Sequence, residues 1–371
     1  MTSAQEIRQI VQINKSRITK YFYGEATSLS RYLSKYNKHE LHAMLLLSIE
    51  KPAELCRFLK TPFFLLEDLI NNPTYKVFQI KKKKGGERQI SAPEKRLKTI
   101  QKRLNYFLQA YYLWLKPKEV HGFVVNPHYL GNHCNIVENA LAHTGKRDVL
   151  NIDLKDFFPN ITAKQVKDMF SSQFFQFDEQ MAIALTLLTT FEGKLPTGAP
   201  TSPVISNFIC YELDSDLICF CAANNLTFTR YADDLTFSSD SSIPNDLLLD
   251  IIILIKKNNF SINDKKIRLK SHNRKQTVTG LTVNEKVNVD RKLLKKIRAM
   301  LHDLATNGME PAVERHFKTK QIEQKHITKF INRLEGYINF VGQVRGKSDS
   351  LYIKHKSDFD SVFYLNNLKL D

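Results

Sequence analysis

Acid is what this 371-residue chain is short of: 38 Asp and Glu stand against 55 Lys and Arg, a formal net charge of +17. A deficit of that size argues against cationic partners and for a polyanionic one. Cysteine is scarce too. Cys56, Cys134, Cys210, Cys219 and Cys221 are odd in number and lack paired zinc spacing, which fits a reducing compartment. Cys219 and Cys221 fall in an apolar helical pattern and are expected in a core. Long hydrophobic runs are missing: the stretch from Leu247 to Ile255 is interrupted by Asp250 and too short to span a bilayer. No signal peptide opens the chain. A soluble cytoplasmic protein with no membrane partner is expected, and no internal repeat or long low-complexity linker divides it.

What is present is apolar mass and clustered positive charge. Hydrophobic residues make up 42%, with 24 Phe and 14 Tyr, enough for two or three subdomains. From Lys265 to Arg298 there are twelve Lys and Arg against two acids, a density better suited to nucleic acid than to a solvated face. Within it lie Arg274 and Lys275. A helix beginning near Asp290 turns Leu293, Ile297, Leu301 and Leu304 inward and leaves Arg291, Lys295 and Arg298 opposite, the layout of a helix along a phosphate backbone.

The N-terminal 70 residues or so read as helices, one marked by Leu29, Tyr32, Leu33 and Tyr36, the next by Leu41, Met44, Leu45 and Ile49. Residues 75–92 read as a hairpin turning at Gly85-Gly86, so that Lys81, Lys82, Lys83, Lys84 and Arg88 project from a fixed ribbon. A solvated loop and a triphosphate clamp explain these charges equally well. His121-Gly122-Phe123 and Asn139-Ala140-Leu141-Ala142-His143 are undecoded by physics alone, and His143 is expected to be a satisfied structural group. The strand Val149–Leu154 puts Asn151 and Asp153 on one face, and Thr162 with Gln165 forms a capping box for the helix that follows. Leu195–Pro203 is a rigid loop, with Pro203 suited to a helix's first turn.

The chemistry is expected at Arg230-Tyr231-Ala232-Asp233-Asp234-Leu235-Thr236-Phe237, two alternating strand patterns joined by adjacent carboxylates. Side by side, the two acids raise each other's pKa, and a cation relieves them. An acidic turn in water would explain Asp233 and Asp234 alone. With Asp153 from another strand end, the three can hold two Mg²⁺ ions for an in-line phosphoryl displacement. Arg88 and the lysine hairpin would neutralise a triphosphate.

The ordered series Lys81–Arg88, Asn151-Ile152-Asp153-Leu154-Lys155-Asp156-Phe157-Phe158, Thr197-Gly198-Ala199-Pro200-Thr201-Ser202-Pro203, Tyr231-Ala232-Asp233-Asp234, Lys266 and Thr279-Gly280-Leu281 resembles the motif series of reverse transcriptases, over roughly residues 75–285. Asn139-Ala140-Leu141-Ala142-His143 and Val278-Thr279-Gly280 resemble two signatures of the bacterial retron branch. The resemblance implies an α+β right-hand polymerase. A helical N-terminal extension would occupy 1–74, fingers 75–148, palm 149–285 and a helical basic thumb 286–371. It implies Asp153, Asp233 and Asp234 as metal ligands, and Lys266 as a proton donor near the leaving pyrophosphate. Lys81, Lys84, Arg88, Asp156, Phe157, Phe158, Thr197 and Gly198 would border the incoming dNTP, with Phe158 as the gate against a ribose 2′-hydroxyl. Arg274, Lys275, Arg291, Lys295 and Arg298 would contact RNA. The implied product is msDNA, a branched RNA–DNA hybrid primed from a guanosine 2′-hydroxyl of a cognate noncoding RNA. A separate effector protein in phage defence and a host ribonuclease H would be partners, since about 85 residues follow Lys286 and carry no further carboxylate cluster. Thr197 stands where the family usually has Gln, a departure that bears on nucleotide affinity or fidelity. Another bacterial reverse transcriptase (intron, diversity-generating or abortive-infection type) and an inactive RNA-binding scaffold are the alternatives.

Overall fold

Helix starts near the N-terminus are set by side chains that satisfy the first free N–H groups. The computed structural model describes residues 4–25, 31–82, 85–125, 134–319 and 321–367, without the side chains of 363–367. Its first helices are α1 (Ala4–Phe22), α2 (Lys38–Leu47), α3 (Pro52–Leu59) and α4 (Phe63–Asn71). Asn37 accepts from the backbone of His39 and Glu40 while Glu40 accepts from the backbone N–H of Asn37, a full capping box at α2. The helix expected around Tyr32, Leu33 and Tyr36 is a run of turns and a bend at 31–36, and Leu29 lies outside the described residues. A few apolar positions just before the Asn37 cap leave no room to propagate a helix.

Strands β1 (Tyr75–Lys81) and β2 (Glu87–Pro93) pair antiparallel from Tyr75↔Pro93 to Lys81↔Glu87. Gly85 and Gly86 take φ values of +89° and +80° at the turn, where a Cβ would be strained. Then follow α5 (Lys95–Leu115), α6 (Ile136–Leu141), β3 (Asp148–Asp153) and α7 (Ala163–Ser171), the last capped by the Thr162–Gln165 box. Helix α8 (Glu179–Thr189) precedes α9 (Ser202–Ile209), which carries Pro203 in its first turn, and α10 (Tyr211–Ala223). The remaining elements are β4 (Thr227–Tyr231), β5 (Asp234–Ser239), α11 (Asn245–Lys257), β6 (Arg268–Ser271), β7 (Thr277–Val278), β8 (Leu281–Thr282), α12 (Arg291–Asn307), α13 (Met309–Phe317), α14 (Gln324–Arg345) and α15 (Ser350–Asn367). The main sheet has the order β4-β5-β3-β6. Leu235 through Ser239 are all buried, so β5 is covered on both faces rather than on one.

The chain divides into two units, 1–134 with 151–236 and 243–267, and 135–150 with 237–242 and 268–371. The first has an aromatic core in which Tyr111 meets Phe175 edge-on at 5.3 Å and donates its hydroxyl to the carbonyl of Phe174 at 2.6 Å. The second packs α12, α13 and α14 through Ile297, Leu301, Val313, Phe330 and Leu334. In α12 Ile297, Leu301 and Leu304 are buried as expected, Leu293 is only partly buried, and Leu294 joins them on the inward face. Cys221 is buried but Cys219 is exposed, because helix positions two apart point about 200° from one another. No helix among the described residues is long and apolar enough to cross a membrane.

Candidate active site

The two-residue connection Ala232–Asp233 between β4 and β5 turns the chain back with Ala232 at φ +59°, a left-handed backbone unfavourable for a residue with a Cβ. Surrounding groups hold it there. Arg230, fully buried, donates from Nη1 to the carbonyl of Ala232 at 3.2 Å and to Asn207 Oδ1 at 2.9 Å. Its Nε and Nη2 pair with both carboxylate oxygens of the equally buried Asp214, each at 2.6 Å. Burial opposes the charge on Arg230, but the Asp214 carboxylate outweighs it and holds the guanidinium above its ordinary pKa. From the other side, Gly122 lies so close that a Cβ would strike the backbone N of Ala232 and sit 2.7 Å from the carbonyl carbon of Tyr231. Gly122→Ala is therefore expected to lower stability by about 1–3 kcal/mol through overpacking, read by chemical denaturation; an unchanged midpoint would remove this contact from the turn's support.

Asp153 ends β3 beside that turn. The backbone N–H of Leu154 donates to the carbonyl of Asp233 at 3.0 Å, and that of Asn263 donates to the carbonyl of Asp153 at 2.9 Å. The short 3₁₀ turn Asp264–Lys266 then delivers the Lys266 ammonium to Asp153 Oδ2 at 2.7 Å. Burial raises the Asp233 carboxyl above its ordinary pKa, and the Asp153 carboxylate adds to the rise against a backbone hydrogen bond, Lys266 and Arg88. Asp153, Asp233, Lys266 and Arg88 thus belong to one electrostatic cluster. Asp234 opens β5 and is exposed. Among the described residues no three His, Cys, Asp or Glu side chains form a ready-made ion cage. The donor set fits Mg²⁺ nonetheless, since that ion is commonly held by one or two carboxylates with substrate phosphates completing its shell, and it would relieve the Asp153–Asp233 repulsion.

The backbone N–H of Ser91 on β2 donates to the carbonyl of Thr197 at 2.8 Å. Gly198, at φ +126°, lies where a Cβ would be 2.9 Å from Ile90 Cγ2 and 3.1 Å from the carbonyl oxygen of Ser91. The loop bearing Thr197 and Gly198 is therefore tied to the ribbon bearing exposed Arg88 and Lys81. Lys84 lies outside the described residues. Phe158 is half-buried and stacks on Phe123 with centroids 5.7 Å apart, while Phe157 is buried and packs on Phe158 and Phe260. Asp156 is exposed at φ +43°. Nothing in the sequence gives Arg230 or Phe123 its supporting role, although both stand in stretches singled out there, and no local signal marks Asp214 or Asn207.

In the second unit, His143 is buried and its Nδ1 lies 2.7 Å from Ser238 Oγ, and Asn139 is buried as well. Thr279 (φ +47°) and Gly280 (φ +85°) form the two-residue turn between β7 and β8, the primed-turn backbone that a tight hairpin requires. The Thr279 hydroxyl donates to the carbonyl of Ile136 at the start of α6, the helix on which Asn139, Ala140 and Leu141 stand. Arg274, Arg291, Lys295 and Arg298 are exposed, and Lys275, also exposed, pairs with Asp290 at 2.6 Å.

Comparison with known proteins adds to this geometry. The family profile described as reverse transcriptase (RNA-dependent DNA polymerase) matches residues 80–283. The chain is 30% identical to the retron Ec86 reverse transcriptase of Escherichia coli over 298 residues, 79% of this chain and 84% of that one. It is 32% identical to the retron Mx65 reverse transcriptase of Myxococcus xanthus over 250 residues, covering 62% and 56% of the two chains. Among solved structures, a telomerase from Candida albicans in complex with a TWJ fragment of telomeric RNA aligns at 11% identity with a TM-score of 0.46, over 84% of this chain and 66% of that one.

Proposed function

Because this chain belongs to the reverse transcriptase family, in its retron branch, and is an RNA-directed DNA polymerase, we propose that it copies its own structured noncoding RNA into msDNA, primed from a guanosine 2′-hydroxyl. The observation that carries the reading is the convergence of Asp153, Asp233, Lys266 and Arg88 beside the stacked pair Phe158–Phe123. Asp153, Asp233 and Asp234, with the substrate phosphates, would hold two Mg²⁺ ions, which would supply Lewis acidity for the phosphoryl displacement. The chain's own groups do the rest. Arg88 and Lys81 attract the triphosphate of the dNTP and bind it as charge-assisted donors. Lys266, held by Asp153 until substrate arrives, is placed to give a proton to the departing pyrophosphate. Thr197 and Gly198 border the nucleotide on a loop fixed to β2.

Phe158, braced by Phe123, fills the space a ribose 2′-hydroxyl would need, with buried Phe157 packed on its ring and exposed Asp156 bordering the nucleotide. Phe158→Ala is expected to raise ribonucleotide incorporation roughly ten- to a hundredfold, the scale of a lost steric contact, while dNTP use changes little. Unchanged sugar selectivity in single-nucleotide extension would remove the gate role. Fingers, palm and thumb are assigned to 75–148, 149–285 and 286–371, with residues 1–74 as an extension. Arg274, Lys275, Arg291, Lys295 and Arg298 grip RNA, which a structured partner offers mainly as shape and unpaired loops. The product works with a separate effector in phage defence, and a host ribonuclease H trims the template.

The deciding experiment is to express the chain with its flanking DNA and sequence the nucleic acid that copurifies. A 2′–5′ branch joining RNA to DNA supports the retron product; linear cDNA alone points to another bacterial reverse transcriptase. Absence of magnesium-dependent dNTP incorporation would leave only an RNA-binding scaffold.

A further inference from the structure

Helix α5 buries mostly apolar side chains, and Gln109 stands among them only 7% exposed. Its amide closes a bracket on the segment that carries Phe123. Nε2 donates to the carbonyl of Phe123 at 2.9 Å, and Oε1 accepts from the backbone N–H of Val125 at 3.2 Å. One side chain thus satisfies that backbone as a neighbouring strand would. The bracket has something to resist. Phe123 takes φ +60°, a left-handed backbone that a bulky residue rarely adopts and keeps only where its surroundings over-determine it. A second restraint comes from α9. Nδ2 of fully buried Asn207 donates to the carbonyl of Gly122 at 3.1 Å and reaches that of Phe123 at 3.4 Å, while its Oδ1 accepts from Arg230. Just upstream, the backbone N–H of Arg230 donates to the carbonyl of Glu119 and that of His121 to the carbonyl of Arg230, each at 3.0 Å. Residues 119–121 therefore run beside β4 before the chain turns at Gly122.

We infer that Gln109 is a positioning residue for sugar discrimination: through Phe123 it sets how firmly Phe158 closes the space beside the ribose. The inference rests on the reading of Phe158 as the gate against a ribose 2′-hydroxyl. A steric gate discriminates only as far as its wall resists displacement, and a retreat of about an ångström concedes the room that a hydroxyl needs. Phe158 has two aromatic neighbours. Phe157 is buried and packs in turn on Phe260, so it has nowhere to go. Phe123 is half-buried and stands on strained backbone, so it is the neighbour that would yield. Relaxation of φ toward the ordinary negative range would swing its carbonyl away and carry the ring off Phe158. Gln109 opposes that swing at the carbonyl itself. The contact from Asn207 is longer and shared with Gly122, which leaves Gln109 as the principal restraint. It acts on the gate from behind and not on the nucleotide.

The test is single-nucleotide extension of a primed RNA template by the purified full chain, with matched dNTP and rNTP, reading the ratio of their kcat/KM values. Gln109→Met keeps the length of the side chain but neither hydrogen bond, and is expected to lower discrimination against the rNTP about fivefold or more. Most of the change should lie in KM for the rNTP, since the freed space admits the hydroxyl already at binding. In Phe158→Ala the gate is gone, so adding Gln109→Met should change the ratio less than about twofold. Gln101→Met is the control for lost stability: on the same helix, its buried amide donates to the Tyr75 hydroxyl at 2.8 Å and the Leu188 carbonyl at 2.9 Å, away from Phe123, and its discrimination should match wild type. If Gln109→Met does not fold, Gln109→Asn, which keeps the amide one carbon short of the carbonyl, decides by the same ratio. Wild-type discrimination in the Gln109 variant, an equal fall in Gln101→Met, or an undiminished Gln109 effect on the Phe158→Ala background overturns the inference. Phe158→Ala alone reports the gate separately. Relaxed sugar selectivity there keeps the gate whatever Gln109 shows, whereas unchanged selectivity refutes the gate and the inference with it.

Discussion

Replacing Asp233 by Asn is expected to lower primer extension by roughly 10²–10³-fold or more, the scale of losing one preorganised electrostatic contact at a reacting centre, while RNA affinity is kept. The two halves of this expectation have one physical origin. In the folded chain the Asp233 carboxylate is disfavoured by burial and by Asp153, a cost that the proposed cations would offset. Asparagine has the same shape and no charge, so the resting protein loses a repulsion and its melting temperature should stay level or rise. One negative charge fewer beside a phosphate backbone also cannot weaken RNA binding. Extension rates, a melting curve and a filter-binding isotherm measured on one preparation separate the possibilities. Full extension by Asp233→Asn would sink the site; lost RNA binding with lost extension would mean that the substitution had disturbed the fold instead.

The features that could be read in advance were those determined by near neighbours in sequence. The Thr162–Gln165 capping box, the Gly85-Gly86 hairpin and the strand ending at Asp153 each depend on residues within one or two turns of chain. The short apolar set around Tyr32 failed because periodicity over so few residues does not distinguish a helix from packed turns. Cys219 failed because an apolar neighbourhood was treated as a face, although only Cys221 lies on the buried side. Harder to foresee were pairings across long separations. Lys266 and Asp153 are 113 positions apart, and nothing local marks an arginine in an alternating strand as buried. Arg230 in that pattern suggests a solvated cation, yet it is fully enclosed with Asp214. Gly122 belonged to a triplet that attracted notice but had no mechanism until the backbone of Ala232 was seen against it. The motif series pointed to Asp153 and Asp233, but not to the groups that hold the Ala232–Asp233 turn in its strained form.

That distinction can be tested by breaking the Arg230–Asp214 pair in two ways. Asp214→Asn leaves the Arg230 charge buried without its counterion and is expected to destabilise the protein by about 3–5 kcal/mol. This result alone would show only that buried charges need partners. The double substitution Asp214→Leu with Arg230→Met replaces the pair by apolar groups of similar volume, a change often neutral or stabilising by about 1–4 kcal/mol. It should therefore fold. It also removes the Nη1 donor that holds the carbonyl of Ala232, and with it the restraint that keeps Ala232 left-handed and Asp233 beside Asp153. The double variant is expected to show near-wild-type denaturation and a fall in kcat for extension of about tenfold or more, with a smaller change in KM for dNTP, because a mobile turn weakens the transition state more than ground-state binding. A stable double variant that extends primers at the wild-type rate would reduce the pair to a structural ion pair and leave Gly122 and the sheet to fix the turn.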